Sequence, residues 1–527
     1  MGTGQAVVVG GGIAGITAAL HLAERGVEVT LLERNGRSMG GRVASYPPIE
    51  VTHLGRRWRL PMEHGVHGWW RQYRNFLALI DRLGLSDRMI DAYDQTLVFR
   101  DPRATYRTNV GRETQITPVW EPFHHVQLLA RKNIRRLIRP SDLPRFPTLG
   151  VKLLETVMFD PDLSAHRARY DRLSVIDYTD GVPFFYQAFL KSLSRSGFFS
   201  DPQYVSLWAF IVALRHYVFL RREDQRFAFV RGPVVPNLLD PMLARIRAAQ
   251  GRTLGGVRVE RVARGQDGRW RLEWVRGDGP RCRERGFTGR MGVVSADHLV
   301  LAVDVAAGRE LQESSPDLAP ILGDLSVFEG RPAVNVRCFW DRAPDHTWGE
   351  SGVFAGATTA DNYFWLHRFQ DPFAAWHRAT GGAVSECHVY APDSKHALPD
   401  EDLVRLCRED MENAFPDMAG HCIHSVIVRN RATHINFPVG CGASFPKVRT
   451  VAPDLFLCGD WIDGGEAVLY MERACQTGIA AANGVLESLG LLPWPVLGSV
   501  APPPHIRALQ RTLRGVDRYL PRIWPTG

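Results

Sequence analysis

The 527-residue chain has room for about two or three domains, and its 45% hydrophobic and 23% charged residues are typical of a folded globular protein. The formal net charge of +8 favours anionic surfaces, but the arginines are spread along the chain and no nucleic-acid recognition motif is present, so nucleic acid is not expected as a partner. The eight cysteines include no C-x-x-C pair, which argues against a zinc ribbon or a thioredoxin-like site and indicates scattered, reduced cysteines.

The first predicted elements form a dinucleotide-binding unit. An apolar strand over residues 5–9 runs into the G-x-G-x-x-G loop of Gly10, Gly12 and Gly15. Gly10 allows a tight turn, Gly12 lets a phosphate approach the backbone, and Gly15 lets the following helix pack on the strand. That helix, predicted from Ile13 to about residue 25, directs its N-terminal N–H groups at the loop, which favours a pyrophosphate.

A second predicted strand, over residues 27–32, ends in Glu33. This carboxylate is placed to accept hydrogen bonds from ribose hydroxyls, and it would repel a 2′-phosphate, so NADP is a poor fit. A glycine pattern alone is weak support for a cofactor. Strand, loop, helix, strand and acid in this order strongly indicate a cofactor that contains ADP.

The rest of the chain alternates helical and strand-like stretches. A mostly helical, arginine-rich region is predicted from about residue 70 to 230. The elements predicted after it are a helix over 236–250, strands over 257–262, 268–275 and 298–303, a mixed region over 330–450, a buried strand over 455–459, and a helix over 469–486.

Two later features favour FAD over NAD. Gly40-Gly41-Arg42 forms a second glycine turn, whose arginine can contact the pyrophosphate of a larger dinucleotide. Gly459-Asp460 follows a late strand, and the acid can hold ribityl or phosphate oxygens. The helix that opens near Met471 can aim its N-terminus at the flavin carbonyl edge, which would stabilise negative charge on a reduced flavin. Together these features predict noncovalent FAD.

The tail is predicted to be an amphipathic helix over 505–527, after a stiff proline-rich linker over 491–504. Its apolar face holds Ile506, Leu509, Leu513, Val516 and Leu520, and the roughly opposite face holds Arg507, Arg511, Arg514 and Arg518. An arginine face suits an anionic membrane surface. A terminal helix packed on its own domain explains the pattern equally well, so both interpretations stay open.

The cofactor half of the chain resembles the superfamily of FAD-dependent amine oxidases and carotenoid desaturases. The shared parts are the loop over 10–15, Glu33, Gly40–Arg42, the strand ending at Val262, the segment LVLAVDV, Gly459-Asp460, and Met471–Ala474. The resemblance implies that FAD is lined by Gly10, Gly12, Ile13, Ala14, Gly15, Glu33, Arg34, Gly40, Gly41, Arg42, Gly65, Val262, Gly459, Asp460, Met471 and Ala474, with main-chain contacts at the valine.

The fold implied by this resemblance is α/β, with a Rossmann-type FAD-binding domain and an interleaved α+β substrate domain. The FAD-binding domain would take in residues 1–70, 233–305 and 451–490, and the substrate domain residues 71–232 and 306–450. Rab escort and GDP-dissociation proteins use the same fold without flavin to bind prenylated partners. The intact glycine loop, Glu33 and Gly459-Asp460 argue against that class.

A narrower resemblance lies at residues 63–79, EHGVHGWWRQYRNFLAL. The segment resembles the G-x-H segment of plant-type phytoene and ζ-carotene desaturases, and still more that of the carotene desaturase/methyltransferases that aromatise β-rings, the isorenieratene-type synthases. The matching residues are Gly65, His67, Arg71, Gln72, Tyr73 and Asn75, while Trp69 and Trp70 replace two phenylalanines. The resemblance implies hydride transfer from a hydrophobic polyene or its end ring to flavin N5, with β-ring aromatisation and methyl migration as the further reaction.

The candidate catalytic residues are His67, Trp69 and Trp70. Tryptophan faces can stabilise the cation left by hydride loss, and one of the two is expected to pack in the core. His67 would lie near the flavin or relay a proton, although such a histidine is more often structural. No metal is expected, because His64 and His67 have no acidic or cysteine partner nearby in the sequence. The alternatives are an acyclic phytoene-type or ζ-carotene desaturase, a carotenoid isomerase, or another amine oxidase with a non-carotenoid substrate.

The expected location is the cytoplasm, with peripheral attachment to a membrane surface. The first strand leaves no room for a signal peptide, and the longest apolar run, residues 205–214, is too short to span a bilayer. A basic segment over residues 131–139 is a second candidate membrane contact, or else a solvated helix face. Quinone and oxygen are the candidate electron acceptors.

Overall fold

The computed structural model describes residues 4–92, 94–160, 164–276, 290–465 and 467–517. The strands are β1 Gln5–Val9, β2 Glu28–Glu33, β3 Ser45–His53, β4 Arg56–Glu63, β5 Trp69–Trp70, β6 Met89–Asp91, β7 Gln95–Arg100, β8 Thr105–Asn109, β9 Phe227–Val230, β10 Arg252–Gly255, β11 Val257–Arg264, β12 Trp270–Arg276, β13 Met291–Ala296, β14 His298–Leu301, β15 Gly330–Trp340, β16 Ser351–Gly356, β17 Asn362–Trp365, β18 Ala383–Val389, β19 Cys422–Ile435 and β20 Leu455–Leu457.

The α-helices are α1 Ile13–Ala23, α2 Arg74–Arg82, α3 Arg112–Ile116, α4 Lys132–Leu137, α5 Phe146–Met158, α6 Ser164–Asp171, α7 Val175–Thr179, α8 Phe184–Phe198, α9 Leu207–Leu214, α10 Asp240–Ala248, α11 Val305–Ser314, α12 Ala319–Leu322, α13 Asp371–Thr380, α14 Asp393–His396, α15 Asp400–Ala414, α16 Tyr470–Ser488 and α17 Pro504–Asp517.

One half of the molecule is built on a five-stranded parallel sheet in the order β10-β2-β1-β14-β20. Its strands are short and mostly buried, as expected for a parallel sheet that is covered on both faces. Helices α1 and α16 pack closely on each other where Gly478 has no side chain. A Cβ at this position would lie only 2.6 Å from the carbonyl oxygen of Ala14. The sheet therefore joins the beginning, middle and end of the chain, and the predicted α/β class is confirmed.

The other half is built on a seven-stranded sheet in the order β19-β15-β18-β17-β16-β7-β8. Neighbouring strands run antiparallel except β16 and β7, which are parallel. Helix α15 covers this sheet through a core that includes Trp340, Trp365 and Met411. Smaller sheets, β3-β4, β5-β9-β6 and β11-β12-β13, lie around the two large ones.

Several predicted elements have different bounds in the structure. The region over 70–230 contains helices α2 to α9 but also strands β6 to β9, so it is less helical than predicted. The helix predicted over 236–250 begins as a π-helix, Val235–Leu239, before α10. Strands β14 and β20 end at Leu301 and Leu457, earlier than predicted, although the N–H of Ala302 still donates to the Val9 carbonyl oxygen and that of Cys458 to the Leu301 carbonyl oxygen.

The predicted linker is a strap, residues 491–503, that is bonded to the helices beneath it. The Asn483 side chain on α16 accepts from the N–H of Trp494 at 2.7 Å and donates to its carbonyl oxygen at 2.8 Å. The Trp494 indole N–H donates to the His21 carbonyl oxygen at 2.9 Å, and the Arg25 guanidinium lies 4.1 Å from the indole ring centre. The strap thus ties α16 to α1.

Helix α17 packs on the protein with the first turns of its apolar face. Ile506 is fully buried against Val157 and Leu220, and Leu509 packs beside them. Gln510 donates to the Val157 carbonyl oxygen at 2.8 Å. Of the two interpretations left open, packing on the protein therefore describes these turns, since the protein's own apolar surface covers them. The side chain of Val516 and the whole of Arg518 and Leu520 lie outside the described residues. Among the described helices, none is both long and apolar enough to cross a bilayer.

We expect Asn483→Ala to destabilise the strap. The substitution removes two hydrogen bonds and leaves backbone groups of Trp494 unpaired, which costs about 1–3 kcal/mol. Asn413→Ala, on the exposed face of α15, is the matched control and should change stability by less than about 0.5 kcal/mol. Thermal unfolding of both variants measures the difference. Equal midpoints for N483A and N413A would contradict a stabilising strap.

Candidate active site

A cavity of about 1670 Å³ lies between the carboxyl edge of the parallel sheet and the seven-stranded sheet. Ordinary ligand sites occupy about 300–1000 Å³, so this cavity has room for a dinucleotide and a second molecule. Glycine turns form one end and aromatic side chains form the other. The predicted FAD residues that line it are Gly10, Gly12, Ile13, Ala14, Glu33, Arg34, Gly40, Gly41, Arg42, Gly65, Gly459, Asp460, Met471 and Ala474.

The first glycine loop presents its backbone to the cavity. Gly10 has a φ of +109°, and a Cβ there would lie 2.3 Å from the carbonyl oxygen of Ala302. A Cβ at Gly12 would meet no described atom within 4 Å, so the missing side chain leaves the backbone open. Gly15 packs behind the loop instead of lining the cavity, because its Cβ would lie 1.9 Å from the Gly10 carbonyl oxygen. An anion at Gly12 would face the N-terminus of α1.

Glu33 is fixed at the end of β2 by the backbone around it. One carboxylate oxygen accepts from the N–H of Gly11 at 2.7 Å, and the other accepts from the N–H of Asn35 at 2.7 Å. Burial raises the pKa of Glu33, while these two N–H groups oppose that shift. Each oxygen keeps a further lone pair, so the side chain can still accept from hydroxyl groups in the cavity.

Arg42 and Asp460 meet across the cavity wall. The guanidinium donates two hydrogen bonds to the carboxylate, at 2.7 and 2.6 Å. This bidentate, charge-assisted contact joins the second glycine turn to the segment after β20. Asp460 is 5% exposed, so Arg42 supplies the partner that its buried charge needs.

Val262 does not line the cavity, contrary to the prediction. Its N–H donates to the Ser315 hydroxyl at 2.8 Å, and its side chain is fully buried in the core. The residues of β11 that line the cavity are Val257 to Glu260. The register of β11 against β12 shifts between Val259 and Arg261. This bulge breaks the simple alternation of faces from which a sequence-based assignment starts.

The segment around His67 reaches the middle of the cavity. Gly65, His67 and Trp70 line it, whereas Trp69 is 1% exposed and packs against Phe76. Burial, reinforced by the nearby His388, lowers the pKa of His67 to about 4, so the imidazole is neutral near pH 7. Nδ1 of His67 is buried with no hydrogen-bond partner among the described residues.

Three more imidazoles, His64, His388 and His434, line the same part of the cavity. Burial lowers the pKa of His64 to about 3 and that of His434 well below its usual value. Within the described ranges, no three His, Cys, Asp or Glu side chains are grouped to hold a metal ion. Burial therefore keeps His64 and His434 neutral near pH 7.

The far end of the cavity is an aromatic wall: Trp70, Tyr73, Phe198, Phe199, Phe210, Tyr217, Phe227, Phe364, Tyr390 and Tyr470. The Trp70 ring lies 4.8 Å from Tyr217 and 5.1 Å from Phe227, centre to centre. Tyr470 starts α16 with a φ of +56° and donates its hydroxyl to the Gly197 carbonyl oxygen at 2.7 Å. The sequence interpretation singled out only Trp70 of this wall as a candidate site residue, with Tyr73 in the same matching segment, because the others come from separate elements and share no local pattern.

The model of the family described as "Flavin containing amine oxidoreductase" matches residues 13–486 of the chain. The chain belongs to this family. It is an oxidoreductase that depends on FAD, and the predicted recognition and cofactor are confirmed.

The chain is similar in sequence to several carotenoid enzymes over almost its whole length. It is 29% identical over 496 residues to a carotenoid phi-ring synthase of Streptomyces griseus, covering 92% of this chain and 88% of the relative. It is 26% identical to a carotenoid phi-ring synthase of Chlorobaculum tepidum, with 94% and 90% covered. A 15-cis-phytoene desaturase of Narcissus pseudonarcissus is 22% identical, with 93% and 80% covered.

The fold is similar to those of solved amine oxidases. Cyclohexylamine oxidase from Brevibacterium oxydans superposes with a TM-score of 0.66 at 15% identity, covering 93% of this chain and all of that one. A putrescine oxidase gives a TM-score of 0.63 at 14% identity, covering 92% of this chain and all of that one. At this identity the likeness shows the fold alone.

The residues present fit FAD. The open backbone at Gly12 and the N-terminus of α1 suit its pyrophosphate, and the fixed carboxylate of Glu33 suits a ribose. Arg42 and the start of α16 near Met471 face the same cavity, where they would contact the phosphates and the flavin.

We expect Glu33→Gln to weaken FAD binding. The substitution replaces a charged acceptor by a neutral one, so the dissociation constant should rise about tenfold. Glu50→Gln on the exposed hairpin β3-β4 is the control, and its FAD affinity should match the wild type. Titration of the apoprotein with FAD, followed by flavin fluorescence, measures both. An unchanged E33Q, or an equal loss in E50Q, would remove Glu33 from the FAD site.

Proposed function

We propose that the protein oxidises a carotenoid at its end ring: two rounds of hydride removal and proton loss, with migration of one methyl group, make the ring aromatic. The relatives of highest identity among those described above are carotenoid phi-ring synthases, and the phytoene desaturase is more distant. The aromatic wall carries the proposal on the structural side. The aromatic wall and the predicted FAD residues line the same cavity, and the wall offers an apolar surface to a polyene.

In this reaction the protein binds the apolar substrate and excludes water from it. When bound, FAD supplies the acceptor for the hydride. Trp70 and Tyr217 present ring faces to the cavity, and each such face stabilises a nearby cation by about 0.5–2 kcal/mol. Apolar side chains such as Leu214, Val218 and Ile435 complete the wall and exclude water. The cation that hydride loss leaves on the polyene would be held until a proton departs.

The pigment composition of a host that makes β-carotene tests this function. We expect expression of the chain to yield pigments with aromatic end rings, lighter by two hydrogens for each oxidation step, measured by mass and absorption spectra. A chain with Gly12→Val is the control, since its side chain would block the open backbone, and it should leave the pigment unchanged. Unchanged β-carotene together with conversion in a host that accumulates an acyclic precursor would assign the chain to phytoene-type desaturation. A product of unchanged mass would indicate isomerisation.

We also propose a membrane-docking patch, defined as the exposed side chains of Ile116, Trp120, Phe123 and Val126. Ile116 is 72% and Trp120 is 74% exposed, although both are large apolar residues. A side chain within the same segment connects the patch to the cavity. His125 Nε2 lies 2.9 Å from the carbonyl oxygen of Val218, and Val218 lines the cavity. A carotenoid resides in lipid, so an apolar patch beside the aromatic wall suits its entry.

Basic side chains flank this patch. Helix α4 buries Ile134 and Leu137 against the protein and leaves Lys132, Arg135 and Arg136 exposed. The apolar residues of this predicted membrane segment are therefore used in packing, whereas its charges face solvent. An apolar patch next to exposed cations is the arrangement that favours anionic lipid headgroups.

We expect the double variant Ile116→Ser and Trp120→Ser to reduce binding to phosphatidylglycerol-containing vesicles by about tenfold or more, since two large apolar side chains no longer enter the bilayer surface. Val451→Ser is the control, because Val451 is 83% exposed but lies outside the patch. Sedimentation with the vesicles measures binding. Unchanged binding of the double variant would contradict the patch, and loss on truncation after Asp517 would assign the contact to the tail.

A further inference from the structure

Three polar side chains alternate along one face of β18 and its continuation. Glu386, His388 and Tyr390 are two residues apart, so their side chains project to the same side of the sheet. His388 Nε2 lies 2.8 Å from a Glu386 carboxylate oxygen, and His388 Nδ1 lies 2.6 Å from the Tyr390 hydroxyl oxygen. His388 and Tyr390 line the cavity, whereas Glu386 lies behind them and is fully buried.

The charge of Glu386 is balanced from the neighbouring strand. Arg337 on β15 is its register partner, and the guanidinium Nε donates to Glu386 at 3.0 Å. The N–H of Val66 donates to the other carboxylate oxygen at 3.0 Å. Burial opposes ionisation of Glu386, but Arg337 and His388 outweigh it and lower its pKa to about 2. The carboxylate is therefore ionised and only accepts hydrogen bonds.

This ionised carboxylate sets the direction of the whole chain of hydrogen bonds. It accepts the Nε2–H of His388, and in this tautomer the lone pair on Nδ1 faces the Tyr390 hydroxyl. Nδ1 then accepts the hydroxyl hydrogen of Tyr390. The order hydroxyl, imidazole, carboxylate is the arrangement that activates a hydroxyl in nucleophilic and acid–base catalysis.

Besides its hydroxyl contact with His388, Tyr390 is held by two further contacts. Asp361 accepts from its backbone N–H at 2.7 Å, and its ring meets that of Phe199 edge-on at 4.5 Å between centres. Burial raises the pKa of the Tyr390 hydroxyl, so the group is neutral and transfers a proton only together with His388. Burial lowers the pKa of His64 to about 3 and that of His67 to about 4, so both of these cavity histidines are weak proton acceptors.

We propose that Tyr390 is the catalytic base that removes the proton from the oxidised substrate, with His388 as the proton acceptor behind it and Glu386 as the positioning residue. This inference rests on the proposed function. After hydride loss, a C–H bond next to the cationic carbon breaks and its electron pair forms the new C=C bond. The proton passes to the Tyr390 oxygen while the tyrosine hydroxyl proton passes to His388 Nδ1. His388 becomes an imidazolium that donates to Glu386, and the extra proton later leaves to solvent; no electron is gained or lost in this step.

The variants Tyr390→Phe and His388→Gln test the proposal in the FAD-loaded full chain with β-carotene. We expect each to lower kcat about 100-fold or more, the contribution of a general base, while KM and the FAD dissociation constant stay within about twofold. Tyr363→Phe is the matched control, because Tyr363 is buried on the neighbouring strand β17 outside the cavity. It should keep the wild-type rate.

The isotope effect separates proton removal from a structural role. Substrate deuterated at the carbon that loses its proton should give a larger kinetic isotope effect in Y390F than in the wild type or Y363F, since proton removal becomes slower than hydride transfer. A Y390F variant that converts carotenoid at the wild-type rate, or that loses rate without any change in isotope effect, would overturn the assignment while the proposed function stands. A wild type that leaves every carotenoid unchanged would overturn both.

Discussion

The bidentate contact between Arg42 and Asp460 fixes the geometry of the cavity. It joins residues that are 418 positions apart in the chain, one after β2 and the other after β20. Both groups carry charge at a partly buried place, so either one alone would be uncompensated. Because the second glycine turn and the start of α16 are attached to this pair, the cofactor end of the cavity depends on it.

Directional polar contacts also place the apolar groups. Burial of apolar surface is strong but has no preferred direction, so it does not by itself aim a side chain. At the start of α16, Glu472 accepts hydrogen bonds from Asn75 and from the backbone of Phe76, which ties α16 to α2. Tyr470 lies two residues earlier and is held in a left-handed conformation, with its ring facing the cavity. The aromatic wall thus depends on hydrogen bonds behind it.

The sequence predicted the parts of the site that are contiguous in the chain. The strand, loop, helix and acid from residue 5 to Glu33 are local, and periodicity and glycine spacing suffice to find them. The aromatic wall combines Trp70, Tyr217 and Phe227 from different elements, so only the folded sheets bring them together. Val262 was assigned to the cofactor from the family resemblance, whereas the residues of β11 that line the cavity are Val257 to Glu260, which lie before Val262 in the strand. The amphipathic tail was ambiguous for a related reason: an apolar helix face has the same period whether protein or lipid covers it.

The proposed chemistry explains why the carboxylate of Glu386 stands behind an imidazole. Hydride loss from a neutral polyene creates a positive charge inside an apolar wall, where a charge is costly. A carboxylate exposed to that cation would attract it but would also be a nucleophile able to trap it. Ring faces such as Trp70 attract the cation without forming a bond. Glu386 is buried between Arg337 and His388, so of these linked groups the Tyr390 hydroxyl is the one that meets the substrate. The positive charge can then leave the substrate as a proton that passes through Tyr390 to His388. Stabilisation of the cation and removal of its proton are thereby assigned to different groups.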